Sequence, residues 1–194
     1  PGYRAAARYV ADRLDAAGLE VRTHSYPATA DARFWATDSF LEWACDAATL
    51  ELLDAAGSPR ETLCDFAAVP ISLIQRSIPV EGEFELVIVG GKGGKDPADY
   101  AGMDVTGKIV LTSEPAARVA ELAVNRFGAA GVLFDGMQAG GRTELDLPDA
   151  LQYTSFWWHG ATPPNAFGFV ISPRRGRSLR ARLAGGEKLR VVAK

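Results

Sequence analysis

The sequence predicts an α/β fold in which a parallel β-α-β unit is joined to short antiparallel strands, with helices on the outside. Three observations carry this expectation. Gly107 to Phe134 reads as strand, helix, strand; residues 47–89 break into short extended runs; apolar residues recur at helical spacing near both ends. The 194 residues suit one large domain, or one and a half small ones, with a core of its own. Hydrophobic residues make up 47% and charged residues 23%, which sets disorder, collagen and coiled coil aside. A net charge of −3 provides no basic footprint for nucleic acid or an anionic membrane.

Taken in order, Tyr3, Ala7, Val10 and Leu14 fall on one face of a helix over 3–17, and Gly18 turns the chain past its end. Leu19 to His24 alternates as a half-buried strand does. Between Pro27 and Ala44 the residues Phe34, Trp35, Phe40 and Trp43 fit helix and loop equally well. From 47 to 89 the punctuation by Gly57-Ser58-Pro59, Pro70, Pro79 and Gly82 suggests antiparallel strands, the last of them a buried run over 85–89. Gly107 then turns the chain into a strand over 109–112, and Pro115 sits where a first helical turn tolerates proline. Val119, Ala120, Ala123, Val124 and Phe127 keep helical spacing, Gly128 ends the helix, and 131–134 resumes as a buried strand. Gly107, Gly128 and Gly131 are expected to need positive φ or close backbone approach. A Gly- and Pro-rich loop follows over 136–165. The chain then runs through a strand over 167–172, a helix over 173–183 capped by Ser172 and closed by Gly185-Gly186, and a strand over 189–192.

Candidate chemistry is sparse. His24 and His159 lie far apart and belong to no metal-ligand spacing, so the local pattern proposes no metal site. No G-x-S-x-G elbow exists, and Cys45 and Cys64 read as two small buried thiols, with a single bridge as the alternative. The run Gly90-Gly91-Lys92-Gly93-Gly94-Lys95 follows a strand as a phosphate loop would. Its Lys95 precedes Asp96-Pro97 where Ser or Thr is required, so a mobile surface loop is expected, in which Gly93→Ala would be silent. Asp135, Glu144, Asp146 and Asp149 cluster around the loop after the β-α-β unit, where solvated charges are the default and an acid/base pair the sharper reading. Tyr153, Phe156, Trp157, Trp158 and His159 form an aromatic segment, either an exposed rim or a core plug. The stretch from Ala150 to Pro173 lacks Asp, Glu, Lys and Arg, yet its prolines and polar residues bar a membrane helix.

The run Asp99-Tyr100-Ala101-Gly102-Met103-Asp104-Val105-Thr106-Gly107-Lys108-Ile109-Val110-Leu111, followed by Ala120 to Arg126 and Gly128-Ala129-Ala130-Gly131-Val132-Leu133-Phe134, resembles a protease-associated (PA) domain. The opening segment, Pro1 to Pro27, is similar to the first helix and strand of zinc aminopeptidases related to bacterial leucyl aminopeptidase and glutamate carboxypeptidase. In several of these a PA domain is inserted early. The resemblance implies a β-rich open barrel or sandwich with peripheral helices over 31–186, a terminal α-β piece of the host peptidase over 1–30, and a return strand over 187–194. Strands 19–24 and 189–192 should then lie together, away from the core around 85–89, 109–112 and 131–134. Tyr3, Val10 and Leu14 should be partly exposed, or buried against a neighbouring molecule.

The chain begins at Pro1 without an initiator Met, as a piece of a longer protein would, and ends at Lys194 before the H-x-D motif that opens the family's zinc ligands. The resemblance therefore implies no catalytic residue and no cofactor in this chain, with zinc held by the host. It implies a lid or docking surface for a peptide substrate or protein partner. The expected contacts are the loop 136–149 with Asp135 and Glu144, the segment with Tyr153, Trp157, Trp158 and His159, and the Gly loop 90–95. The rivals from other classes are a complete small hydrolase using loop carboxylates, and a free-standing peptide- or carbohydrate-binding module using Trp157 and Trp158.

Overall fold

The structure, a computed structural model, describes residues 2–29, 31–39, 41–91, 93–137, 147–156 and 165–194. Helix α1 (Gly2–Ala16) is followed by a minimal hairpin of β1 (Arg33–Phe34) and β2 (Thr37–Asp38). The main sheet is built from β3 (Thr49–Leu53), β4 (Pro59–Asp65), β5 (Gly82–Ile88), β6 (Ile109–Thr112), β7 (Gly131–Phe134), β8 (Phe167–Val170) and β9 (Arg190–Ala193). Helix α2 (Ala116–Ala123) connects β6 to β7, and α3 (Pro173–Ala184) connects β8 to β9.

The seven strands lie in the order β4-β3-β9-β5-β6-β7-β8, antiparallel from β4 to β5 and parallel from β5 to β8. Strands β6, β7 and β8 are buried at every residue, as parallel strands covered on both faces must be. Alternate side chains supply the two faces. Leu86, Ile109, Leu111, Leu133 and Phe169 point to one core with Leu179 of α3; Val110, Val132 and Val170 point to the other with Val119 and Ala123 of α2.

The sheet is a half-barrel. Laid flat, strands about 4.8 Å apart would separate the edge strands β4 and β8 by roughly 29 Å. Instead the Cys64 Sγ–H of β4 donates to the Val170 carbonyl of β8 at 3.4 Å, and Leu73 makes an antiparallel bridge to Phe169. The α/β class and the parallel β-α-β unit are as the sequence predicts. Gly107 and Gly128 have φ of +68° and +74°, and a Cβ on Gly131 would stand 2.7 Å from the Phe167 carbonyl oxygen. Ser172 caps α3, its hydroxyl accepting from the Arg175 N–H at 3.4 Å.

Three expectations fail near the ends. Residues 19–24 form no strand, because alternation alone does not satisfy backbone groups and no strand pairs with them among the described residues. The expected return strand does not lie apart from the core. Strand β9 runs through the middle of the sheet between β3 and β5, since Leu189, Val191 and Ala193 are apolar on one side and fully buried there. Helix α2 stops at Ala123, and Val124 to Phe127 form a closing turn in which Phe127 stacks on Tyr100 at 4.4 Å. Helix α1 buries no residue, and Tyr3, Val10 and Leu14 are exposed as expected.

Candidate functional site

The Gly loop after β5 is tied down, which corrects the expectation of a mobile hairpin. The Asp99 carboxylate is buried and accepts the N–H groups of Gly94 at 2.9 Å and Asp96 at 3.2 Å. Asp96 in turn caps the short 3-10 turn Pro97–Tyr100. The Tyr100 hydroxyl donates to the Gly94 carbonyl, and Thr112 Oγ1 donates to that of Gly93, both at 2.7 Å. Burial pushes the Tyr100 phenol up to about 12, with the Asp99 charge adding to the effect. Two of the loop's N–H groups are therefore held by the chain's own carboxylate, and that of Gly93 by the Gly90 carbonyl, where a phosphate loop would offer such groups to a phosphate. Gly93→Ala is not silent either: φ is +72° and the new Cβ would press on Glu114 Cγ at 3.1 Å.

Asp135 ends β7 and is only 3% exposed. Its Oδ1 accepts from Ser113 Oγ at 2.8 Å and Arg180 Nη2 at 2.7 Å, and its Oδ2 accepts from Arg180 Nε at 3.2 Å. Position 176 in α3 is glycine because a Cβ would overlap that carboxylate. This is a pin between α3 and the carboxyl ends of β6 and β7. Asp149 is held by Arg174 through bonds of 2.7 and 2.9 Å, and that guanidinium keeps its carboxyl below the usual range. The two carboxylates thus answer to separate arginines rather than forming an acid/base pair. Glu144, Asp146, Trp157, Trp158 and His159 lie outside the described residues. Tyr153 is half exposed, and its hydroxyl donates to Gln75 Oε1. His24 lies on an exposed strandless segment beside Tyr26. No three His, Cys, Asp or Glu converge among the described residues, so those residues do not fit a zinc ion.

A cleft of about 390 Å³ lies between the two edge strands. Leu63 and Cys64 of β4 face Val170 and Ile171 across it, and the turn Pro70–Ser72 closes one end. Burial pushes the Cys64 thiol up to about 12, so it is a wall and not a nucleophile at neutral pH. Arg175 reaches from α3 to donate to the carbonyls of Thr62 at 3.2 Å and Leu63 at 2.8 Å. Ser72 belongs to the lining, and its buried Oγ has no hydrogen-bond partner among the described residues. Asp65 stands at the lining with one oxygen accepting from the Ala67 N–H at 2.9 Å. Sequence reasoning missed Ser72, Asp65 and Arg175. The only local signal was Pro70, which marks a break but not what the break encloses.

No family model matches the sequence, and no curated protein matches it. Among solved structures, the whole chain superposes on 38% of an aminopeptidase from Aneurinibacillus sp. strain AM-1, with a TM-score of 0.52 and 20% identity. The chain has the fold of part of that enzyme. A peptidase M28 precursor from Shewanella amazonensis SB2B and a psychrophilic subtilisin-like protease from Pseudoalteromonas sp. AS-11 each match over 76% of this chain. Their TM-scores are 0.47 and 0.43, with identities of 12% and 13%. In both, the chain spans about a third of the other protein, 33% and 32%.

Proposed function

We propose that this chain is a PA-type docking domain of a larger peptidase, without catalytic residues of its own, and that it guides a peptide substrate or protein partner to its host. The observation that carries this reading is the superposition of the entire chain on 38% of an aminopeptidase. The PA-like run from Asp99 to Phe134 supports it, because that run forms the strand, helix and strand at the centre of the fold. In this reading residues 1–30 belong to the host's peptidase domain, and the insert takes in 31–186 together with β9, which is built into its sheet. The exposed stripe of Tyr3, Val10 and Leu14 is the natural seat of the host domain, since an orphaned apolar face rarely stays bare. Tyr153, Glu144, Trp157, Trp158 and His159 are the proposed contacts of the docking role, and Asp135 contributes by fixing α3 through Arg180. Zinc belongs to the host, and no residue here is assigned to it.

The test is hydrolysis. Purified chain should cleave no aminoacyl or peptidyl chromogenic substrate, with or without added zinc. Zinc-dependent turnover that copurifies with the chain and vanishes in a His24 or His159 variant would overturn the reading.

A further inference from the structure

We propose that the cleft between β4 and β8 binds a short extended peptide segment carrying a basic group, with Ser72 and Asp65 as its polar anchors. The inference rests on the docking reading and names the chemistry that the docking site selects. Ser72 lines the cleft and is 97% buried, and its Oγ has no hydrogen-bond partner among the described residues, an arrangement that proteins avoid unless something else completes it. A peptide carbonyl placed in the cleft accepts that hydroxyl proton.

The charges lining the cleft decide the sign of the ligand. Asp149 is neutralised by Arg174, and Arg175 is spread over the Thr62 and Leu63 carbonyls, with Glu61 at 3.8 Å. Of the two carboxylates in the lining, Asp65 has no cation within salt-bridge reach among the described residues, and its one hydrogen bond, from the Ala67 N–H, falls on a single oxygen. The lining carboxylate without a counter-ion is therefore Asp65, and a lysine or arginine side chain or an amino terminus complements it. The walls are apolar at Leu63, Val170 and Ile171, and Val69 and Ile71 project from the adjoining turn with 44% and 42% exposure. That combination suits an aliphatic side chain beside the basic one. At about 390 Å³ the cleft lies at the small end of ligand sites, which fits a short segment rather than a folded surface.

The experiment uses the full chain, labelled with ¹⁵N and titrated with acetyl-Leu-Lys-amide and, separately, acetyl-Leu-Gln-amide. The expected result is amide shifts over 62–72 and 170–172, with the lysine peptide bound at least fivefold more tightly. Asp65→Asn should erase that preference, the two peptides then binding alike. Ser72→Ala should weaken both peptides about fivefold while the thermal midpoint of the free protein holds or rises, since an unsatisfied hydroxyl is removed. Equal affinities for the two peptides, or a preference that survives Asp65→Asn, overturns the proposal. Shifts centred on Tyr153 instead would remove the cleft but leave the docking reading standing. No shift of any amide at millimolar peptide would remove both.

Discussion

Replacing Arg180 by methionine isolates the energetic role of the pin at the end of β7. The Asp135 carboxylate is 3% exposed and takes two hydrogen bonds from Arg180 and one from Ser113. Arg180→Met keeps most of the aliphatic stem but strands a buried charge with one hydroxyl donor. Breaking a fully buried pair costs roughly 3–5 kcal/mol. The Arg180 side chain is 30% exposed, so solvent already screens part of the interaction, and about 2–3 kcal/mol is the appropriate expectation. Against a typical total of ~5–15 kcal/mol this is a large fraction. With a urea slope of about 2 kcal/mol per molar, the midpoint followed by tryptophan fluorescence and far-UV circular dichroism should fall by about 1–1.5 M. Asp135→Asn combined with Arg180→Met should recover part of the loss, because the neutral amide no longer needs the guanidinium. A loss below about 0.5 kcal/mol, or strict additivity in the double-mutant cycle, would refute the buried-pin account.

Other outcomes follow from the same packing. Gly131→Ala drives a Cβ to 2.7 Å from the Phe167 carbonyl oxygen and should destabilise by about 1–3 kcal/mol, whereas Gly2→Ala, in open space, should leave the midpoint in place. Burial raises Cys64 and Tyr100 to about 12 from ordinary values of 9.0 and 10.0, so the fold favours their protonated forms. Their contribution to stability is complete below about pH 9 and is lost as the pH rises through about 12, which a series of urea melts at alkaline pH should show. At pH 8 a thiol reagent should modify Cys45, which is half-buried, and reach Cys64 only on unfolding. Removing residues 1–26 should leave the thermal midpoint nearly unchanged, since α1 buries nothing; a clear drop would show that the segment belongs to the folded core.

The parts of the fold that were legible in the sequence are those whose signals are local. Gly107, Gly128 and Gly131 each mark a boundary of the β-α-β unit within a few residues, and Ser172 and Gly185 do the same for α3. Strand β9 was visible as an apolar alternation, but its place was not. Its pairing of Ala193 with Leu50 and with Gly82 spans more than a hundred residues, and no local pattern encodes which strands meet across such a distance. Residues 19–24 show the converse, an alternation with no partner strand and therefore no strand. Asp99 was readable as a motif residue, yet its work of filling the Gly loop's anion seat emerges only when the loop folds back on it. The cleft was the least legible feature. It exists because seven twisted strands curl until the two edges meet; Asp65 and Ser72 share one local turn, but the facing wall of Val170 and Ile171 reaches them only through that closure.

The central claim, that the chain engages peptide without cleaving it, is tested most directly in a single tube. Labelled chain with zinc and a basic peptide is titrated by amide NMR, and the same sample is then incubated for days and weighed by mass spectrometry. The account predicts saturable shifts in the native protein and a peptide of unchanged mass. Cleavage products that scale with protein concentration, or an unperturbed spectrum at saturating peptide, would contradict it.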